Sequence, residues 1–244
     1  MNNNLQNVNN TTDEIQNLLN SICNKSVKTR VYKILSELTS DHWLKSNLEN
    51  YEKRLNTEEK WFDSISFLNW YAHNFKPKNY LEVGVRRGRS IAQVLVESPQ
   101  TNAYGFDLWI PDYASIPQQG IYTSNPGPEF VLAELKKLGV ENLPTLIRGN
   151  SHETVPSFFD NSNNPQNFDL IFIDGDHTYT GAKIDLDIAF DHLAPGGALL
   201  FDDIYHRSHL YLSKLWDTYK DKFDDYLFIE DVSGNGAGIA FKPP

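Results

Sequence analysis

The chain has 244 residues, of which 40% are hydrophobic and 22% charged, and a formal net charge of −10. That length suits one sizeable domain with room for a small appendage. The acidic balance argues against nucleic acid as a partner, because phosphate binding needs a basic surface. The absence of a basic amphipathic segment or a long apolar run argues against a membrane.

Residues 1–10 are Asn-rich and read as a disordered tail. They do not resemble a signal peptide. The single Cys23 can form no intramolecular disulfide, so a cytoplasmic protein is expected. Thr11-Thr12-Asp13-Glu14 has capping-box spacing, with Thr11 as N-cap. Ile15, Leu18, Leu19 and Ile22 then follow a helical period. Further helical patterns run around Val31, Ile34, Leu35 and Leu38, and through Trp43, Leu44, Leu48 and Tyr51. A longer helix is expected from about Glu58 to Asn74, ending before Lys76-Pro77. Residues 11–75 therefore read as an N-terminal helical cap. It could wall an acceptor pocket or form a homo-oligomer interface, although burial of Trp61, Phe62, Phe67 and Trp70 against a sheet explains most of its aromatics.

Residues 76–244 alternate between strands and helices. Strands are expected at 80–84, 103–107, 145–148, 168–174 and 198–202, with helices at 90–96, 129–138, 180–193 and 210–221. Residues 226–232 and 238–242 flank Ser233-Gly234-Asn235-Gly236-Ala237 and read as a closing hairpin. Repeated strand–helix units imply a doubly wound α/β fold with a mostly parallel sheet, and the hairpin makes one strand antiparallel.

Two short apolar runs carry the chemistry. Phe168-Asp169-Leu170-Ile171-Phe172-Ile173 ends in Asp174-Gly175-Asp176-His177, and Ala198-Leu199-Leu200-Phe201 ends in Asp202-Asp203. Such runs are buried parallel strands, and ligands bind at their C-terminal ends. Upstream, Glu82-Val83-Gly84-Val85-Arg86-Arg87-Gly88 forms a strand–turn–helix entry without G-x-G-x-x-G spacing, which argues against a dinucleotide. Asp107 ends the second strand, where a ribose-binding acid is expected.

The motif Glu82-x-Gly84-x-x-x-Gly88, Asp107, Gly149-Asn150-Ser151 and the two acid-ending strands resemble class I S-adenosylmethionine-dependent methyltransferases. Asp174-Gly175-Asp176-His177, Pro195-Gly196-Gly197 and Asp202-Asp203 resemble, more narrowly, the small-molecule O-methyltransferase and cephalosporin-hydroxylase-like group. The resemblance spans about residues 79–242. It implies a seven-stranded sheet with a reversed last strand. It implies that Gly84 and Gly88 line the methionine part of S-adenosyl-L-methionine, Glu82 holds its amino group, Asp107 its ribose, and Ser151 its adenine. His152 is a weaker candidate at the adenine. Trp109 would cover the adenine face or serve as a core or lid aromatic.

Asp174, Asp202 and Asp203 would converge on adjacent strands, and a divalent cation relieves their repulsion. All-oxygen ligands favour Mg²⁺, with Mn²⁺ possible. Carried over from related metal-dependent O-methyltransferases, the three acids are the ligands, with Asp176 a substitute, and His177 is the general base. His206 and His209 would rim the pocket. The loop Trp109–Pro128, with Tyr113 and Tyr122, reads as a lid over the acceptor. The expected activity is Mg²⁺-assisted O-methylation of a hydroxylated small molecule such as a sugar or natural-product scaffold. Metal-free N-methylation and a catalytically silent cofactor-binding protein are the alternatives.

Overall fold

The computed structural model describes residues 12–112, 117–119, 124–223, 225–229 and 234–244. The expected tail 1–10, the Thr11 cap, lid residues Tyr113 and Tyr122, and Ser233 of the hairpin turn lie outside the described residues.

Four helices come first: α1 (Thr12–Ile22), α2 (Lys25–Glu37), α3 (His42–Leu55) and α4 (Ser64–Phe75). The alternating part contains β1 (Asn79–Val83), α5 (Arg89–Glu97), β2 (Asn102–Asp107), α6 (Pro128–Lys137), β3 (Thr145–Arg148), α7 (Ser151–Asp160), β4 (Phe168–Ile173), α8 (Tyr179–His192) and β5 (Leu193–Phe201). α9 (Tyr211–Asp217), β6 (Asp225–Ile229) and β7 (Ala237–Phe241) complete the chain. The seven strands run in the order β3-β2-β1-β4-β5-β7-β6. β1 to β5 pair in parallel, and β7 runs antiparallel to both β5 and β6. The expected α/β architecture with a reversed last strand is therefore present. No helix of the described residues is long and apolar enough to cross a membrane.

Alternation along the central strands feeds two cores. Tyr80, Leu170, Phe172, Ala198 and Leu200 pack with the N-terminal helices and α5 on one face. Leu81, Val83, Ile171, Ile173 and Leu199 pack with α7, α8 and α9 on the other. Phe67 and Leu68 of α4 are wholly buried, so the aromatic load of this region serves the core.

The structure departs from the sequence expectation at several elements, and three show why. α4 begins at Ser64 rather than Glu58, because the Asp63 side chain accepts the Ser66 N–H and caps the helix there. α7 was not expected. Asn150 caps it by accepting the His152 N–H, but Pro156 inside the helix hides its signal. β5 starts at Leu193 and takes in Pro195-Gly196-Gly197, where Gly196 N–H reaches Lys242 O at 3.0 Å.

A buried polar tie locks α2, α3 and α4 together. Lys28, 1% exposed, donates to Asp63 Oδ2 at 2.9 Å and to Ser66 Oγ at 2.7 Å. Tyr51 donates to the same Asp63 oxygen at 2.8 Å, and Lys28 Nζ lies 4.8 Å from the Trp61 ring centre. Burial works to raise the Asp63 pKa, but Lys28, joined by the Tyr51 hydroxyl and the Ser66 N–H, outweighs it and holds the carboxyl below its ordinary value. Lys28→Met should cost about 3–5 kcal/mol in urea denaturation, because it strands a buried charge. Adding Asp63→Asn should recover part of that loss. A single-variant cost below about 1 kcal/mol contradicts this account.

Candidate active site

The site forms where β1, β4 and β5 end side by side. Asp174 N–H donates to Val83 O at 2.8 Å, and Asp202 N–H to Ile173 O at 3.0 Å. These bonds carry the parallel ladder one residue past each strand and bring both acidic segments to one edge. Gly84 turns the chain away from β1 at φ +96°, and a Cβ there would overlap the carbonyl oxygen of Asp174. Gly88 is left-handed too, at φ +77°, and has a second reason. Its Cβ would stand 2.6 Å from Val131 Cγ1, so this glycine lets α5 pack against α6.

A cleft of about 620 Å³ opens over these strand ends. Of the residues expected at the site, Gly84, Asp107, Ser151, Asp174, His177 and Asp203 line it, and Glu82, Gly88, Trp109 and Asp202 do not. Asp107 is held in place by its own backbone surroundings: Oδ2 accepts the Arg86 N–H at 2.6 Å, and Oδ1 accepts the Trp109 N–H.

Trp109 takes a left-handed φ of +45°. Its ring is 1% exposed, and its indole N–H donates to Arg86 O at 2.8 Å. It is a core aromatic that braces the glycine turn. Leu108 and Ile110, about half exposed, line the cleft on either side of it.

Glu82 faces away from the cleft into the core, wholly buried. It accepts hydrogen bonds from the Tyr80 hydroxyl at 2.7 Å and from the Ser90 hydroxyl. Both oxygens are engaged, and burial pushes its pKa up to about 8 against the pull of those two bonds. A neutral acid of this kind clamps β1 to α5 and offers no charge to an ammonium group.

At the other end, Asp174, His177 and Asp203 offer one donor atom each, all within 4.8 Å of one another. His177 Nε2 lies 3.4 Å from Asp174 Oδ1 and 3.7 Å from Asp203 Oδ2. It is buried and aligned with neither as a hydrogen bond. Burial alone would lower the His177 pKa, but Asp174, joined by Asp203 and Asp176, outweighs it and raises it. Asp174 is itself raised, chiefly by burial.

Asp202 is not part of this group. Its Oδ1 accepts the Ser64 hydroxyl at 2.8 Å and the Asp203 N–H at 3.0 Å, so it faces α4. A left-handed Asp203, φ +57°, then turns the second carboxylate toward His177. His209 stands next to His177, with ring centres 4.9 Å apart, and His206 stacks on His209 at 4.6 Å.

Beneath the Ser151 end, Asp185 is a buried acid that the sequence reading passed over. Its Oδ1 lies 3.8 Å from His152 Nε2, and burial pushes its pKa up to about 6. An aspartate on the apolar face of a helix was the signal for it.

A family profile described as a methyltransferase domain matches residues 81–204, just over half the chain. The chain belongs to that family. It is a class I methyltransferase, as the resemblance implied. No curated protein matches it in sequence.

Solved structures with the same fold include an O-methyltransferase from Bacillus cereus bound to SAH. It is 14% identical, with 84% of this chain and 92% of that one covered, at a TM-score of 0.56. TomG, an O-methyltransferase from Streptomyces achromogenes involved in tomaymycin synthesis and solved with SAM, is also 14% identical. That match covers 85% and 92% at 0.56. CalS11, a calicheamicin methyltransferase, is 18% identical over 96% and 95% at 0.52.

The raised Glu82 pKa has a sign that can be tested. The unfolded chain ionises this carboxyl near its ordinary value, while the folded chain keeps it protonated to about pH 8. Stability at this site should therefore fall as pH rises from about 5 to 8. Glu82→Gln should flatten that slope in denaturant titrations, and an unchanged slope would show that Glu82 is ionised in the core.

Proposed function

We propose that this chain transfers a methyl group from S-adenosylmethionine to a hydroxyl of a small molecule, such as a sugar or natural-product scaffold, with help from a divalent cation. The reading rests chiefly on one observation: a cofactor-sized cleft runs from Asp107 to a half-buried Asp174–His177–Asp203 group. TomG, from tomaymycin synthesis, and CalS11, a calicheamicin methyltransferase, point to small-molecule acceptors in this fold.

In this reading, Asp107 receives the ribose hydroxyls, Leu108 and Ile110 flank the adenine, and Ser151 lies at its edge. Gly84 lets the methionine part pass close to the β1 turn. Asp174, Asp203 and His177 suit a cation, since two carboxylates and an inward-facing imidazole nitrogen already crowd one spot. A bound cation would lower the pKa of an acceptor hydroxyl. An imidazole in the set suits Mn²⁺ better than Mg²⁺. This assigns His177 to holding the cation rather than to the base role expected for it. His209 then takes up the proton at a ring nitrogen. Burial, followed by the neighbouring histidines, holds its pKa below the ordinary value. General-base help of this kind is worth about 10²–10⁴-fold.

The test is turnover of labelled S-adenosylmethionine against sugar and phenolic acceptors. Excess chelator should abolish it and Mn²⁺ should restore it, with binding of S-adenosylhomocysteine unaffected. His177→Ala should weaken Mn²⁺ binding, and His209→Ala should lower kcat by about 10²-fold or more while leaving Mn²⁺ binding intact. Full activity in chelator would favour metal-free N-methylation, and loss of turnover in His177→Ala without loss of Mn²⁺ would return the base role to His177.

A further inference from the structure

Three arginines crowd the turn between β1 and α5, and the structure divides them. Arg87 Nε lies 3.3 Å from Asp41 Oδ2, and its Nη1 donates to Ser124 O and Oγ at 2.9 Å each. Arg89 Nη2 reaches Asp41 Oδ1 at 2.5 Å. Burial acts to raise the Asp41 pKa, but the Leu44 N–H and then Arg89 outweigh it and keep the carboxyl below its ordinary value. Both residues are spent on fastening the turn to the N-terminal helices. Arg86 alone of the three lines the cleft.

The backbone fixes where Arg86 stands. It has φ +51°, a left-handed conformation that is strained for a non-glycine residue. Two bonds hold it there: its N–H donates to Asp107 Oδ2, and its carbonyl accepts from the Trp109 indole. The strand order places β1 between β2 and β4. Arg86, just past β1, therefore stands between Asp107 at the end of β2 and Asp174 after β4.

The rest of the cleft is acidic. Asp107, Asp174, Asp176 and Asp203 line it, and Arg86 is the only arginine or lysine among the described lining residues. A ligand running from Asp107 to Asp174 with a free amino-acid end brings one carboxylate into this field. Four carboxylates repel it, and a guanidinium fork matches it in charge and geometry. We propose that Arg86 binds the α-carboxylate of the methionine part of the cofactor. The assignment rests on the cofactor reading above and adds the group that holds its anionic end.

Calorimetry with two ligands tests it. S-adenosylhomocysteine carries the amino-acid end, and 5′-methylthioadenosine lacks it. In Arg86→Met, affinity for S-adenosylhomocysteine should fall roughly 10–100-fold, while that for 5′-methylthioadenosine stays within about twofold. Arg86→Lys should give a smaller but still selective loss, and it supplies the same readout should Met unfold this left-handed turn. Unchanged S-adenosylhomocysteine affinity in Arg86→Met overturns the proposal. So does a parallel loss of both ligands in both variants, which would make Arg86 a support of the turn. If the wild-type chain binds neither ligand, the cofactor reading falls and the Arg86 assignment falls with it.

Discussion

The close approach of Gly84 to Asp174 is the constraint on which the site depends. β1 and β4 run side by side in parallel, and the backbone bond from Asp174 to Val83 continues their ladder beyond the last strand residue. No side chain fits at position 84, so the turn after β1 must be glycine with positive φ. That turn aims Arg86 at the cleft and delivers Asp174 to its edge. Glu82, two residues earlier, shares the core face of β1 with Tyr80, where its carboxyl clamps α5 through Ser90.

Charge is the second organising feature. The cleft gathers four carboxylates and offsets them with Arg86 and the inward nitrogen of His177. The N-terminal helices share in this arrangement. Ser64, at the start of α4, holds Asp202, and Asp202 in turn receives the Asp203 N–H. Asp41, capping α3, holds Arg87 and Arg89. The helical cap thus shares one core with the sheet and braces both loops that shape the cleft.

The sheet was legible because buried parallel strands are short apolar runs, whereas the helices between them follow a period of 3.6. Asp107 and Asp174 were legible because such strands end in polar residues at the ligand edge. What the sequence reading left open at Trp109 and placed differently at Asp202 has a common physical origin. Trp109 and Asp203 both adopt positive φ, which breaks the in–out alternation of an extended chain. Trp109 therefore turns into the core and yields the cleft to Leu108 and Ile110. Asp202 likewise turns to Ser64, and Asp203 alone joins His177. Left-handed non-glycine residues carry no dependable sequence signal, because tertiary bonds hold them in place. The packing role of Gly88 carried no local signal either, since its small size also serves the distant Val131. Helix α7 was hidden by Pro156, although Asn150 and Glu153 carried the usual marks of a helix start.

The central claim is that three strand ends build one centre in which a cofactor meets a cation. Anomalous diffraction at the manganese edge, from crystals grown with S-adenosylhomocysteine and Mn²⁺, tests it most directly. The account predicts the nucleoside beside Asp107 and one manganese peak bounded by Asp174, His177 and Asp203. Bound S-adenosylhomocysteine with no peak at those residues, or a peak held by Asp202 with His177 turned away, would contradict it.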